Sequence, residues 1–138
     1  MGTRSTIALE FADGTVEQVY CHWDGYLEHN GQILAKHYMD PFKVKELLAL
    51  GGFSSLEATV EGTKQTAYTQ RGEECHVEKF KDFRDYLENH QYEEYEYILR
   101  QVDGKAVWFV ADHDNVYVTL ESAIADEQDR IAQEETEE

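Results

Sequence analysis

The sequence predicts an α+β protein, a single domain with a mainly antiparallel sheet and helices packed on one face. Three observations predict it. Two Asp-Gly dipeptides, Asp13-Gly14 and Asp103-Gly104, sit between strand-like runs and read as hairpin turns. Blocks of helical periodicity follow the first hairpin and end the chain, so strands and helices are segregated rather than alternating. With 138 residues, one proline and 41% hydrophobic content, the chain is an ordered domain able to bury ~68% of its unfolded surface.

In order, Ser5 to Phe11 alternates, with Ile7, Leu9 and Phe11 on one face, and Thr15 to Trp23 resumes strand character after Asp13-Gly14. Past Asp24-Gly25 the period changes. Leu27, Gly31, Leu34 and Tyr38 share one face of a helix, and Gly31 there implies close approach to another element. A second helix has Asp40 as N-cap, Pro41 at its first position and Gly51-Gly52 at its end. Leu56 to Glu61 is expected to be a short strand, and Gly62 to Glu74 a long loop. Phe80, Phe83 and Leu87 predict a third helix over Lys79 to Asn89. Tyr95 to Val102 and Lys105 to Ala111 form a hairpin about Asp103-Gly104, Val116 to Thr119 one more strand, and Leu120 to Gln133 a closing helix capped by Thr119. The domain is placed at 1–133, with 134–138 an acidic tail.

The charge bounds function. Twenty-nine acids against twelve Lys and Arg leave a net −17, of which −7 lies in residues 121–138. Direct nucleic-acid binding is disfavoured, because that affinity comes from cations displacing counterions. A basic protein, including one built to hold nucleic acid, is the complementary partner. The longest apolar run, Ala106 to Ala111, is far below the ~20 residues that span a bilayer. With two cysteines and no export signal read at the N-terminus, the chain is expected to keep reduced thiols in a cytoplasm, without membrane association.

The densest stretch is Val19 to Tyr38, with three of six histidines, one of two tryptophans and three of nine tyrosines. Within it Tyr20 to Tyr26, YCHWDGY, resembles the signature of a family of short, largely uncharacterised bacteriophage and prophage proteins. Val44, Leu47, Leu50-Gly51 and Ser54-Ser55-Leu56 are similar to that family's continuation, and Arg71-Gly72-Glu73 to a later element. Tyr68-Thr69-Gln70 departs from the more charged stretch expected there. The resemblance covers about half the chain. It implies a phage-type protein acting in the host bacterial cytoplasm and modulating a host process, antiphage defence included. It transfers no catalytic residue.

Site candidates follow from residue chemistry. His22 and Asp24 share a strand face but need further ligands to hold a metal, and His29 and His37 lie ~12 Å apart along a regular helix. The Cys21-His22 and Cys75-His76 pairs point their members to opposite strand faces. Asp112 to Asn115 suits a turn better than a calcium loop. No cofactor or metal is implied, and no catalytic motif is present. His22 and Trp23 read as an ordering turn with the indole buried. Trp23 and Tyr26 with His22, Asp24, Tyr68, Arg71 and Glu73 form a candidate pocket for a nucleotide. An acidic interaction surface is drawn over Glu74, Glu78, Asp82, Asp85, Glu88, Glu93, Glu94, Glu96, Asp126 and Glu127. On the strand after Tyr92, Tyr95 and Tyr97 face the core while Glu94 and Glu96 face water. The expected function is inhibition or modulation of a basic host protein by acidic-surface mimicry. A nucleotide-sequestering protein and a metal-assisted hydrolase are the alternatives.

Overall fold

From the N-terminus the elements run β1 (Ser5–Glu10), β2 (Val16–Cys21), a π turn (Leu27–Gly31), α1 (Gln32–His37), α2 (Pro41–Leu48), α3 (Val60–Lys64) and a 3-10 turn (Tyr68–Arg71). Then follow β3 (Glu78–Phe80), α4 (Phe83–Asn89), β4 (Tyr95–Val102), β5 (Lys105–Asp112), β6 (Val118–Thr119) and α5 (Leu120–Thr136). The computed structural model describes residues 3–73, 77–90, 93–112 and 116–136. The six strands form one sheet in the order β3-β2-β1-β4-β5-β6. Only the β1–β4 pair is parallel, so the sheet is mainly antiparallel and the chain is α+β.

Turn chemistry sets the hairpins. Asp103 and Gly104 both have positive φ, 52° and 81°, as a type I′ turn requires. At the first hairpin only Gly14 does, because the loop is longer: Phe11 N–H donates to Thr15 O, and the Asp13 carboxylate accepts from the Thr15 N–H and hydroxyl.

Alternation splits the sheet into two unlike faces. Ile7, Leu9, Val19, Tyr97, Leu99, Trp108 and Val110 point to the main core, where Leu34, Tyr38, Leu47, Phe53 and Leu120 meet them. Each such side chain contributes ~1.5–3 kcal/mol by leaving water. The other face is covered too. Tyr86, Phe83 and Leu87 of α4 pack on Ala8, Val16 and Ile98, and Arg100 lies over the Phe83 ring at 3.6 Å while pairing with Glu10 at 3.1 Å. The helices therefore do not all lie on one face. α4 departs because its apolar side complements the second face of β1 and β4.

Three local expectations change. Leu56 to Glu61 is not a strand: the Thr59 hydroxyl accepts from Gly62 N–H at 3.0 Å and starts α3, which together with the 3-10 turn fills much of the expected loop. Lys79 to Asn89 splits, because Glu78–Phe80 pairs with β2 and Asp82 caps α4. The helix after Gly25 opens as a π turn before regularising at Gln32. Asp40 caps α2 through Phe42 N–H at 2.9 Å, Thr119 accepts from Ser122 N–H at 3.3 Å, and α5 continues through Thr136.

Candidate functional site

The turn after β2 is held by hydrogen bonds to three other parts of the chain. His22 N–H donates to Phe53 O, Trp23 N–H to Ser54 O and Gly25 N–H to Thr3 O, while the Tyr97 hydroxyl donates to Gly25 O at 2.6 Å. Asp24 takes a positive φ of 57° to make the bend, and its carbonyl accepts from Asn30 N–H. A Cβ at position 25 would stand 2.7 Å from Ser5 Cβ, so only glycine fits. Asn30 is fully buried; its side-chain amide donates to Ser5 Oγ and Cys21 Sγ, and its Oδ1 lies 2.9 Å from His29 Nδ1. Drawing Asn30 inward accompanies the widened π turn, a feature often found at functional sites. Gly31 meets Leu120 and the Tyr97 hydroxyl, the close approach its place on a helix face implied.

Trp23 is not buried. Its side of the turn is open, and 43% of the residue is exposed. The His22 ring stands edge-on to the indole, 4.6 Å between centroids, and its Nδ1 lies 2.8 Å from the Tyr20 hydroxyl. Asp24 sits close enough to raise the Tyr26 phenol above its ordinary value by its negative charge. Burial raises Tyr20, with Arg4 opposing and Glu93 and Tyr68 adding to the rise. Burial also raises Glu93, again against Arg4. Arg4, Tyr20, His22, Tyr68 and Glu93 thus influence one another here, with Trp23 edge-on to His22. Glu73 is exposed, and the side chain of Arg71 lies outside the described residues.

No group of three or more metal-ligating side chains occurs among the described residues. Cys21 is buried and its thiol is pushed up to about 11, chiefly by burial, which removes the thiolate a nucleophile needs. Glu74, Cys75, His76, Tyr92 and the His113 to Asn115 part of the proposed turn lie outside the described residues.

The acidic surface divides. Glu96 does not face water: it is 2% exposed, with Oε2 3.0 Å from His90 Nδ1 and accepting from the Tyr117 hydroxyl at 3.4 Å. It lies beneath α4, on the face that alternation alone would leave wet. On α4 itself the acids are engaged. Asp82 accepts from Asp85 N–H, Asp85 from Lys81 N–H and Asn89, and Glu88 pairs with Arg84. Glu78 is half-buried in β3, Glu94 is exposed, and Asp126 and Glu127 sit on α5. Glu127 pairs with Arg130 at 2.5 Å. Glu121 and Asp129, which the sequence reading left out, project from the same helix as Asp126. All three are exposed, and among the described residues none has an ion-pair partner.

Among the described residues no helix is long and apolar enough to cross a membrane. Comparison with known proteins yields no matching family model, no matching curated protein and no matching solved structure.

Proposed function

We propose that this is a small phage-type acidic protein that binds and modulates a basic host protein in the bacterial cytoplasm, with α5 as its principal charged face. One observation carries the reading. Acids on α4 are consumed by caps and an ion pair, whereas α5 holds six acids against Arg130 alone. Glu127 and Glu134 share Arg130, which leaves Glu121, Asp126 and Asp129 exposed and without an ion-pair partner among the described residues. Glu134 stands near the C-terminal end, where the macrodipole disfavours an acid and Arg130 offsets it at 2.6 Å, but no base occupies the last turn. Exposed carboxylates such as these gain favourable energy from positive charge on another molecule. The resemblance at Tyr20 to Tyr26 supports the phage-type assignment.

Affinity capture from bacterial lysate tests it. The wild-type chain is expected to retain basic partners at low salt and release them near 1 M, where the Debye length falls to ~3 Å. A chain carrying Glu121→Gln, Asp126→Asn and Asp129→Asn is expected to lose them. Capture that ignores both salt and these changes counts against the proposal. The exposed Trp23 beside His22 favours a second reading, stacking of a nucleotide base. It predicts a thermal shift with nucleotides that Trp23→Ala removes.

A further inference from the structure

We propose that the groove between α1 and α5 seats an amphipathic basic helix of the partner; this rests on the acidic-surface reading and names what that surface holds. Two cavities of about 540 and 430 Å³ meet along it, sharing Gln32, Lys36 and Ile124. The first is apolar: Ala35, Met39, Leu120 and Ile124 line it above Trp108, whose indole N–H is fixed to Tyr38 O at 2.9 Å. The second extends it to Leu27 and Ile131. From Leu120 to Ile131 the groove follows α5 for about three turns, ~16 Å at 1.5 Å per residue. That length suits apolar anchors at i, i+4, i+7 and i+11 of a docked helix.

The rim selects the sign of the occupant. Glu121 stands at one end and Glu28 at the other, beside a Glu127 already paired with Arg130, and Asp126 and Asp129 lie outside on α5. Basic residues flanking the apolar stripe meet these carboxylates. Lys36, at the junction of the two cavities, disfavours a positive residue at the middle of the stripe. Met39, 49% exposed at the lip, offers a deformable apolar surface to an anchor.

The test uses two synthetic peptides of identical Leu/Lys composition, one with leucines at i, i+4, i+7 and i+11 and one scrambled. Titration of the whole chain is expected to show the striped peptide binding about tenfold or more tightly than the scrambled one, a 1.4 kcal/mol difference. Met39→Asp, on an exposed residue that leaves the fold intact, is expected to abolish that margin while the scrambled peptide binds as before. Ala35→Phe, which fills the groove, should do the same. Equal, salt-sensitive binding of both peptides overturns the groove while leaving the acidic-surface reading standing. Failure of the striped peptide to bind, or a margin that survives both substitutions, also overturns it. So does a concentration-dependent dimer that Met39→Asp dissolves, which assigns the groove to a second copy. The acidic-surface reading is judged separately by the α5 charge changes.

Discussion

The His90 Nδ1 and Glu96 Oε2 atoms lie 3.0 Å apart, and both side chains are shielded from solvent. The Tyr86 ring stacks on His90 at 4.2 Å and 11°, and the Tyr117 hydroxyl reaches Tyr86, His90 and Glu96. His90 is the C-cap of α4 and Glu96 belongs to β4, so this cluster ties α4 to the second face of the sheet. Removing one partner of a buried pair leaves the other uncompensated. Glu96→Ala is expected to destabilise the chain by ~3 kcal/mol, whereas exposed Glu94→Ala stays within about 0.5 kcal/mol. Urea unfolding of both variants checks this, and equal midpoints would remove the distinction.

Gly25 is a steric requirement and not a flexible joint. Gly25→Ala brings a methyl group to 2.7 Å from Ser5 Cβ and 2.9 Å from Thr3 O. The strand entering the sheet must shift, with an expected loss of ~1–3 kcal/mol. A thermal midpoint unchanged from wild type would show that the contact relaxes freely.

Acids of α4 and α5 should separate stability from binding. Asp82→Ala removes the cap on Asp85 N–H and is expected to lower stability by ~1 kcal/mol without altering partner affinity. Asp126→Asn with Asp129→Asn should do the reverse, leaving stability within about 0.5 kcal/mol and flattening the salt dependence of binding. A partner titration in which both variants behave alike would refute the division.

Cys21 makes stability depend on alkaline pH. Its folded thiol titrates at about 11 against an ordinary 9.0. A folded value above the unfolded one stabilises the protonated form, so the contribution is full below pH 9 and is lost as pH rises from 9 to 11. Unfolding curves of wild type and Cys21→Ala, compared at pH 8 and again above pH 10, should converge with rising pH. A constant gap between them would show that the thiol does not titrate with folding. In a Cys75→Ser background, Cys21 is also expected to resist thiol reagents at pH 8 until the chain unfolds.

Much of the fold was legible because its signals are local. The Asp-Gly turns, the Asp40-Pro41 cap and the core-facing residues of β1 and β4 each follow from signals within a few residues and appear where the sequence placed them, although the second face of both strands is buried too. The apparent strand at Leu56 to Glu61 misled because a hydroxyl cap at Thr59 outweighs a short alternation. Asp82 and Asp85 formed a legible cap signal inside the assumed helix over Lys79 to Asn89, hidden by the periodic Phe80, Phe83 and Leu87. Trp23 was expected inside because indoles usually are. Four backbone anchors hold its turn instead, leaving the ring to solvent.

By itself, the sequence determined the fold class, the two hairpins, the capped second helix, the charge and the glycine-dependent bend after β2. These follow from side-chain size, backbone φ preference and hydrogen bonds between near neighbours. Only the tertiary structure decided that α4 crosses to the second face of the sheet, and with it that Glu96 is an interior partner of His90 and not a surface acid. It also decided that α1 and α5 leave an apolar groove between them. Which face a helix covers depends on the fit of distant apolar surfaces, and burial of a residue depends on what lies across from it. Neither quantity is written in the residue's own neighbourhood.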